Sequence, residues 1–592
     1  MLFYLLTFKH NYNFLFMRPI FLALCMLGFS AAFAQPITTR FELSNGTQTP
    51  TYYEAIEWWQ KLDARSPKVK MQTMGLTDAG LPLHLVFISN SGDFNLASIR
   101  KSNKRIFFIN NGIHPGEPDG IDASMLLARD IVTNAYKLPD NIVLAIIPVY
   151  NIGGCLNRSA NFRVDQNGPE EFGFRGNSQN LDLNRDFIKC DSRDARAFAS
   201  IFRMLDPDVF VDNHVSNGAD YQHAMTLLTS QHDKLGGAMG EFMNKEFEPG
   251  LYAAMKKKGY DLIPYVNSFG DTPDNGWPEY WDSPRYGTGY AALWNTFSFM
   301  PESHMLKPYD QRVKACYTLM QSFIGFIAEH SETIKKLRTE AKQNTKSMSA
   351  LPISWTLDRN VTQDYLYKGF AAGRKPSEVS GLPRLYYDRS KPYEKTIKIM
   401  NHYVPKESVT KPAAYIIPQG WWKVIDLLQL NKVEMQQLKR DTTIEVEVYK
   451  IASYKASPRP YEMHHTNTEV KTTSFMEKVS FRKGDWYVPL SQEGNRFIME
   501  VLEPQAEDSY FTWNFFDGIL GQKEGYSAYA FEDIASDYLK NNTALRNQLE
   551  QQRATDTSFA KSARAQLDFV FQRSPWFEPA FLRYPVYRVK PQ

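Results

Sequence analysis

Apolar runs and helical periodicities take turns through the first half of the chain, and together they predict a β-sheet with helices packed on it. Residues 49–62 carry Tyr52, Ile56, Trp59 and Leu62 at spacings of four, three and three, which marks an amphipathic helix with one apolar face. Residues 69–73 and 83–89 are apolar-rich with partial alternation on either side of Thr77-Asp78-Ala79-Gly80, the pattern of a β-hairpin with a glycine-containing turn. Residues 105–110 read as a buried strand, and within residues 119–132 the positions Ile121, Met125, Ala128 and Ile131 define the apolar face of a helix. Residues 141–149 are a second strongly apolar strand. Strand, helix and strand within about 45 residues predict a parallel crossover unit. Residues 195–205 then read as a helix, and 208–213 as a short strand running into His214. Residues 296–300 read as one more strand, ending at Pro301-Glu302-Ser303-His304, and 309–338 as a long amphipathic helix.

Beyond residue 350 the pattern shifts. Residues 413–417, 443–455, 470–482, 486–489 and 496–502 read as strands, and 528–552 and 559–571 as helices. The expected fold class is therefore α/β, a mixed, mainly parallel β-sheet flanked by helices, followed by a mainly β C-terminal domain with terminal helices. The expected boundaries are an α/β domain at 35–338, a charged, polar linker at 339–350 and a β-rich domain at 351–592.

Composition changes this picture little, and the N-terminus changes it more. A length of 592 residues suggests two to four domains at roughly 100–200 residues each. With a formal net charge of +3 and no run of lysine and arginine, nucleic acid is not an expected partner. From Met17 the chain presents a basic residue, an apolar core and Ala32-Phe33-Ala34 before Gln35, the pattern of a secretory signal peptide at residues 1–34, with residues 1–16 an upstream extension. The apolar part is 16 residues, short of the roughly 20 that span a bilayer, so no membrane span is expected after signal removal and the location expected is secreted or periplasmic. Cys155, Cys190 and Cys316 would remain, an odd and widely spaced set that allows at most one bridge, with Cys155 and Cys190 the closer pair.

The candidate chemistry begins where the strand at 105–110 breaks into Asn-Asn-Gly. His114 and Glu117 stand three positions apart there, with Pro115 and Gly116 forcing a turn, and an imidazole with a carboxylate are two of the three protein ligands of a catalytic zinc. His214 ends another strand about 100 residues later, and ligands in such sheets gather beyond the carboxyl ends of the strands. Glu302, after a further strand, is the best-placed general base for a water at such a site, and His304 is the rival ligand or supporting group. Residues 152–193 form an irregular loop too long for a mere connector. It carries Arg175 and Asp182-Leu183-Asn184-Arg185. Arg185 with Asn184 suits an anchor for a free α-carboxylate, Arg175 an oxyanion, and Asp182 the second nitrogen of a metal-bound imidazole.

His114-Pro-Gly-Glu117, Arg175-Gly-Asn-Ser-Gln-Asn-Leu-Asp182-Leu-Asn184-Arg185, His214 and Glu302, in this order, resemble the zinc metallocarboxypeptidases, the carboxypeptidase A-like exopeptidases, over about residues 49–335. Gly75 to Gly80 is similar to the hairpin before that family's first metal motif. The resemblance implies a zinc carboxypeptidase-like domain binding one Zn2+ per chain through His114, Glu117 and His214, with Asp182 orienting His114. It implies that Glu302 is the general base, that Arg175 polarises the scissile carbonyl, and that Asn184 and Arg185 hold the C-terminal carboxylate of a peptide substrate. Tyr280, Tyr286 and Tyr290 compete for the family's mobile tyrosine, and Gly287-Thr-Gly289 favours Tyr286. Glu302-Ser-His304-Met-Leu-Lys307 departs from the Glu-Leu-Arg-Asp ending of the digestive members.

The function expected is a secreted metallocarboxypeptidase that hydrolyses the C-terminal peptide bond of peptides with a zinc-activated water. Two alternatives stand beside it. One is a zinc amidohydrolase acting on N-acyl amino acids or cell-wall peptides; the other is a non-catalytic protein on the same scaffold that binds peptides or glycans. The β-rich region has no motif with an assigned chemistry. Trp421-Trp422 reads as core and interface, and the oligomeric state is left open.

Overall fold

A computed structural model describes residues 37–591, and the expected signal peptide lies outside the described residues. The helix α1 (Tyr52–Arg65) forms where the periodicity predicts, and its start is fixed by a reciprocal cap: Thr51 Oγ1 accepts from the Glu54 amide at 3.3 Å, and Glu54 Oε2 accepts from the Thr51 amide at 2.8 Å. The hairpin follows as β1 (Val69–Leu76) and β2 (Pro82–Ile88), paired antiparallel.

The crossover unit is β3 (Arg105–Asn110), α2 (Asp119–Val132) and β4 (Ile142–Ile147), with both strands buried at every position. After α3 (Arg193–Leu205) come β5 (Val209–Asp212), β6 (His214–Ser216) and β7 (Met225–Thr229), and finally β8 (Phe297–His304). The strand order is β1-β2-β4-β3-β5-β8-β6, with β7 also pairing β8. β4, β3, β5 and β8 run parallel to one another, as do β8 and β6, while β7 lies antiparallel to β8.

Alternation along the strands divides the core into two layers. Phe108 and Phe210 meet Phe198 and Phe202 of α3 on one face, with ring centroids 5.2–6.3 Å apart. Phe107 and Phe299 meet Phe323 of α4 (Tyr309–Glu329) on the other, at 5.5 and 4.9 Å. Fully buried Arg312 of α4 donates to Asp119 of α2 at 3.0 Å, which ties the two helices across the metal loop.

Three expectations are corrected here. The helix expected at 309–338 breaks at His330, and the linker expected at 339–350 is mostly the second half of a further helix, α5 (Ser331–Ser347). Its charges are engaged in the structure: buried Arg338 pairs with Asp206 at 2.8 Å and Asp208 at 3.1 Å, and donates to the Asn295 carbonyl at 2.9 Å. The strand expected at 496–502 is a helix, α6 (Asn495–Leu502), because an apolar run this short has no period that separates a buried strand from a buried helix.

The C-terminal region contains four strands that sequence pattern missed: β9 (Ala350–Leu357) paired with β12 (Tyr403–Thr410), and β10 (Gln363–Pro376) paired with β11 (Pro383–Ile399). Next come β13 (Ala414–Ile417), β14 (Thr442–Ala456), β15 (Asn467–Phe481) and β16 (Trp486–Pro489), which form a sheet with Gln436–Gln437 and with β17 (Tyr587–Val589) near the chain end. Helices at Ala528–Asn541, Thr543–Thr555 and Ala563–Gln572 precede β17. Cys155, Cys190 and Cys316 are buried and unbridged. No helix among the described residues is long and apolar enough to cross a membrane.

Asp122, on the first turn of α2, accepts from Thr49 Oγ1 at 2.6 Å and from the Tyr309 hydroxyl, inside the core. Burial pushes its carboxyl from 3.8 up to about 7, and neighbouring Asp119 adds to the shift. Across that window the folded protein holds a proton that the unfolded chain has released. This group's contribution is therefore full at low pH and is lost as pH rises through the window, by up to about 4 kcal/mol. Asp122→Asn removes the titration, so the melting temperature of the variant relative to the unsubstituted protein should climb between about pH 4 and pH 7. A difference independent of pH would show that Asp122 is ionised throughout.

Candidate active site

The sheet register assembles the site. β3 and β5 are parallel neighbours with Asn110 opposite Asp212, so the loop carrying His114 and Glu117 and the start of β6 at His214 leave the same edge side by side. β8 then pairs with β6 so that Glu302 lies directly opposite His214. The Glu117 amide donates to the His114 carbonyl at 2.8 Å, closing the turn between the two candidate ligands. Gly120, just beyond it, lets α2 approach closely: a Cβ there would lie 2.5 Å from both Asn111 Oδ1 and Asn213 Cβ.

Donor atoms of His114, Glu117 and His214 lie within 4.8 Å of one another, and all three residues are buried. The two oxygens of Glu117 divide between the rings, Oε1 at 3.2 Å from His114 Nδ1 and Oε2 at 3.1 Å from His214 Nδ1. The outward nitrogens face carboxylates: His114 Nε2 is 2.9 Å from Asp182 Oδ1, and His214 Nε2 is 3.2 Å from Asp212 Oδ2. Asp212 is itself fixed by Asn110, whose amide donates to Oδ1 at 2.9 Å. His114 Nδ1 is buried with no hydrogen-bond partner. An orphaned imidazole nitrogen facing a carboxylate and a second imidazole, each ring backed by an acid, is the donor set and support of a His2Glu zinc site.

The charges agree with that reading. Burial opposes ionisation of Glu117, yet Arg163 and His114 hold its carboxyl well below the usual range. Burial likewise works against a charged His214, and Asp212 with Glu117 outweighs it, so the ring is held well above its ordinary value. Anionic groups in this pocket therefore favour a positive charge at its centre.

The long loop supplies the rest. Arg175 donates to Asp182 Oδ2 through Nε at 3.0 Å, and its Nη1 stands 3.7 Å from Glu117 Oε1. Asp182 accepts from the Asn184 amide at 2.9 Å. Burial would raise its carboxyl, but His114, Arg175 and Arg185 hold it far below the usual range. Arg185 lies over the ring of Tyr286 at 4.7 Å, and Tyr286 meets Tyr280 edge-on at 5.4 Å. His114, Glu117, His214, Arg175, Asn184, Arg185, Tyr286 and Glu302 all line one cavity of about 250 Å3. In its wall, burial pushes the Glu302 carboxyl up to about 8; His214 opposes that shift and Glu117 adds to it.

Two expected candidates are placed elsewhere. Tyr290 is buried with its hydroxyl donating to Asn431 at 2.7 Å, which leaves Tyr280 and Tyr286 at the cavity. His304 stacks on Tyr221 at 4.1 Å, with Nε2 3.5 Å from Asp220 Oδ1, and does not reach the metal group.

Four participants were missed. Arg163 donates to Glu117 Oε1 at 2.6 Å, and only its place in the over-long loop hinted at it. Asp212, two residues before His214, was legible as an acid at a strand end. Tyr265 lines the cavity with no sequence cue. Glu462, between β14 and β15, accepts from the Asp182 amide at 2.9 Å across a separation of 280 residues, which no local pattern shows.

Residues 55–247 match the sequence model of the zinc carboxypeptidase family. With the mixed sheet and the His114, Glu117 and His214 group, this match over about a third of the chain supports a metallocarboxypeptidase hydrolase. Among its relatives, carboxypeptidase 2 of Trichophyton equinum is 22% identical over 516 residues, covering 81% of this chain and 87% of the relative. Carboxypeptidase 2 of Trichophyton rubrum is 21% identical over the same shares of each chain. Among solved structures, a metallo-carboxypeptidase from Burkholderia cenocepacia aligns with a TM-score of 0.35 at 14% identity, over 47% of this chain and 69% of that one.

Removing the carboxylate behind His214 tests the support of the metal. Asp212→Ala should weaken zinc binding by roughly 10–100-fold, read by competition with a chromophoric chelator, while the circular dichroism spectrum is unchanged.

Proposed function

We propose that this protein is a secreted zinc carboxypeptidase that removes the C-terminal residue of peptides. The observation that carries the reading is that Asn184, Arg185, the metal donor group and Glu302 all line one cavity, where Asn184 and Arg185 suit a free carboxylate. A guanidinium grips a free carboxylate through two parallel hydrogen bonds, and that selects a chain end over an internal peptide bond. Secretion is supported by the signal pattern that begins at Met17.

Zinc held by His114, Glu117 and His214 would supply Lewis acidity toward a carbonyl oxygen and an activated water. Asp182 and Asp212 keep each imidazole turned with Nδ1 inward. Arg185 and Asn184 hold the substrate carboxylate, which places the terminal peptide bond against Arg175, where the guanidinium stabilises charge developing on the carbonyl oxygen. Glu302 takes the proton of the attacking water and delivers it to the departing amine. Its burial raises its basicity, and a cation beside it would bring its pKa back toward the range in which proton exchange in both directions is efficient. Tyr286, under Arg185, and Tyr280, edge-on to it, cover the anchored end.

Glu302→Gln should keep its zinc and lose roughly 10²–10⁴-fold in turnover, measured as kcat on a C-terminally unblocked peptide with metal content determined in parallel. Turnover at the unsubstituted rate in a zinc-loaded variant would refute the role. Arg185→Ala should lower kcat/KM for such peptides by roughly 10–100-fold and leave the slow cleavage of their C-terminal amides unchanged. Equal losses on acid and amide would assign the guanidinium to packing instead.

A further inference from the structure

The described residues hold a second group of metal-donor side chains, separate from the catalytic one, at the seam between the central sheet and the C-terminal strands. It consists of His232 and Asp233, on the helical turn His232–Leu235 that follows β7, and His402, in the connection from β11 to β12. We propose that His232, Asp233 and His402 bind a divalent transition-metal ion, with zinc the best fit, that staples the C-terminal region to the central sheet.

The geometry is the first argument. His232 Nε2 is 3.4 Å from His402 Nδ1 and 3.4 Å from Asp233 Oδ2, and His402 Nδ1 is 3.5 Å from Asp233 Oδ2. These three sides make a nearly equilateral triangle. One face of a tetrahedron with metal-ligand bonds of about 2.0–2.2 Å has edges of about 3.3–3.6 Å. Hydrogen bonds within such a trio would instead bring atoms to about 2.7–3.2 Å. The imidazole rings are 4.8 Å apart and cross at 84°, so their nitrogens stand at two corners of the triangle with neither ring stacked on the other.

The second argument is that the frame around the triangle is braced without the ion. Gln231 Oε1 accepts from the amides of Asp233 at 2.7 Å and Lys234 at 3.1 Å, while its Nε2 donates to the Asn401 carbonyl at 2.8 Å. The Tyr403 amide donates to Asp233 Oδ2 at 2.8 Å, which aims the carboxylate, and the Asp358 amide donates to the His402 carbonyl at 2.9 Å. Lys234, the adjacent cation, is turned away onto Asp282 at 2.6 Å. The carboxylate thus keeps its charge for the centre of the triangle.

The donor chemistry narrows the ion. Two imidazoles and one carboxylate suit zinc and its first-row neighbours, whereas calcium and magnesium prefer an all-oxygen shell. His232 is buried, while the side chains of His402 and Asp233 are 33% and 27% exposed, which gives an ion a way in and leaves the fourth position to water. The site shares no residue with the catalytic centre, so its ion would be additional to the one zinc expected there. It does touch the cavity indirectly. Lys234 follows Asp233 in the same turn and holds Asp282, a residue of the catalytic cavity wall.

The test is a zinc count on the full-length secreted form, stripped with chelator and reloaded with Zn2+, for the unsubstituted protein, His402→Ala and His114→Ala. Two zinc ions per chain are expected in the first and one in each variant. His402 sits in a partly exposed connection, so its loss should leave the fold intact; Asp233→Asn, which keeps the shape of the side chain, serves as the second variant. One zinc in the unsubstituted protein, kept in His402→Ala and lost in His114→Ala, overturns the proposal and leaves the catalytic reading standing. One zinc lost in His402→Ala and kept in His114→Ala supports it and overturns the catalytic metal instead. Reloading with Co2+ gives an independent readout: a second equivalent should add visible absorption of tetrahedral type and raise the melting temperature, and both changes should be absent in His402→Ala.

Discussion

The pairing of β8 with its neighbours is the constraint on which the site depends. Its first half continues the parallel sheet beside β5, and its second half pairs with β6 in the register that sets Glu302 against His214. Side chains alternate along a strand, so a slip of one residue would turn Glu302 to the face that holds Phe299 and away from the metal group. That register is secured far from the chemistry, by the aromatic layers around Phe107, Phe299 and Phe323 on one face and Phe108, Phe198 and Phe210 on the other. Hydrophobic packing, which carries no chemical information, fixes the position of a carboxylate that does.

The cost of the arrangement is concentrated charge. Glu117, Asp182, Asp212 and Glu302 converge with Arg163, Arg175 and Arg185 around two buried imidazoles. Each acid except Glu302 is engaged by a fixed partner. Glu302 is the one left to burial, and it is the one whose proton affinity rises. Environments that push neighbouring carboxyls in opposite directions let a single pocket keep one acid ionised beside another that exchanges protons.

Legibility in the sequence followed the physical range of each interaction. β3 and β4 were readable because strands buried on both faces are continuous apolar runs, and the metal ligands were readable because they stand at the ends of such runs. The linker failed because charged residues on α5 look the same whether they meet water or, as Arg338 does, Asp206 and buried Asp208. Residues 496–502 failed because seven apolar-rich positions fit either period. Tyr290 and His304 were plausible by spacing and were excluded only by their partners, Asn431 and Tyr221. Glu462 was beyond reach altogether, since its contact with Asp182 joins segments that are adjacent only after folding.

The hydrophobic core that begins at Phe108 does not stop at the end of the zinc carboxypeptidase segment. It runs through Tyr290 and Trp294 into Phe497, Tyr510, Trp513 and Tyr584 of the C-terminal region, with Trp294 stacked on Phe497 at 4.9 Å. A core shared in this way is a mechanical unit: neither half can shed its water-excluding surface while the other keeps its own. The two regions should accordingly melt in one transition, and a truncation after α5 would lay open the face of α3 and the rings of Tyr290 and Trp294, producing a sticky fragment where a smaller enzyme was intended. The C-terminal half thus acts less as an attachment than as the missing wall of the catalytic half's own interior.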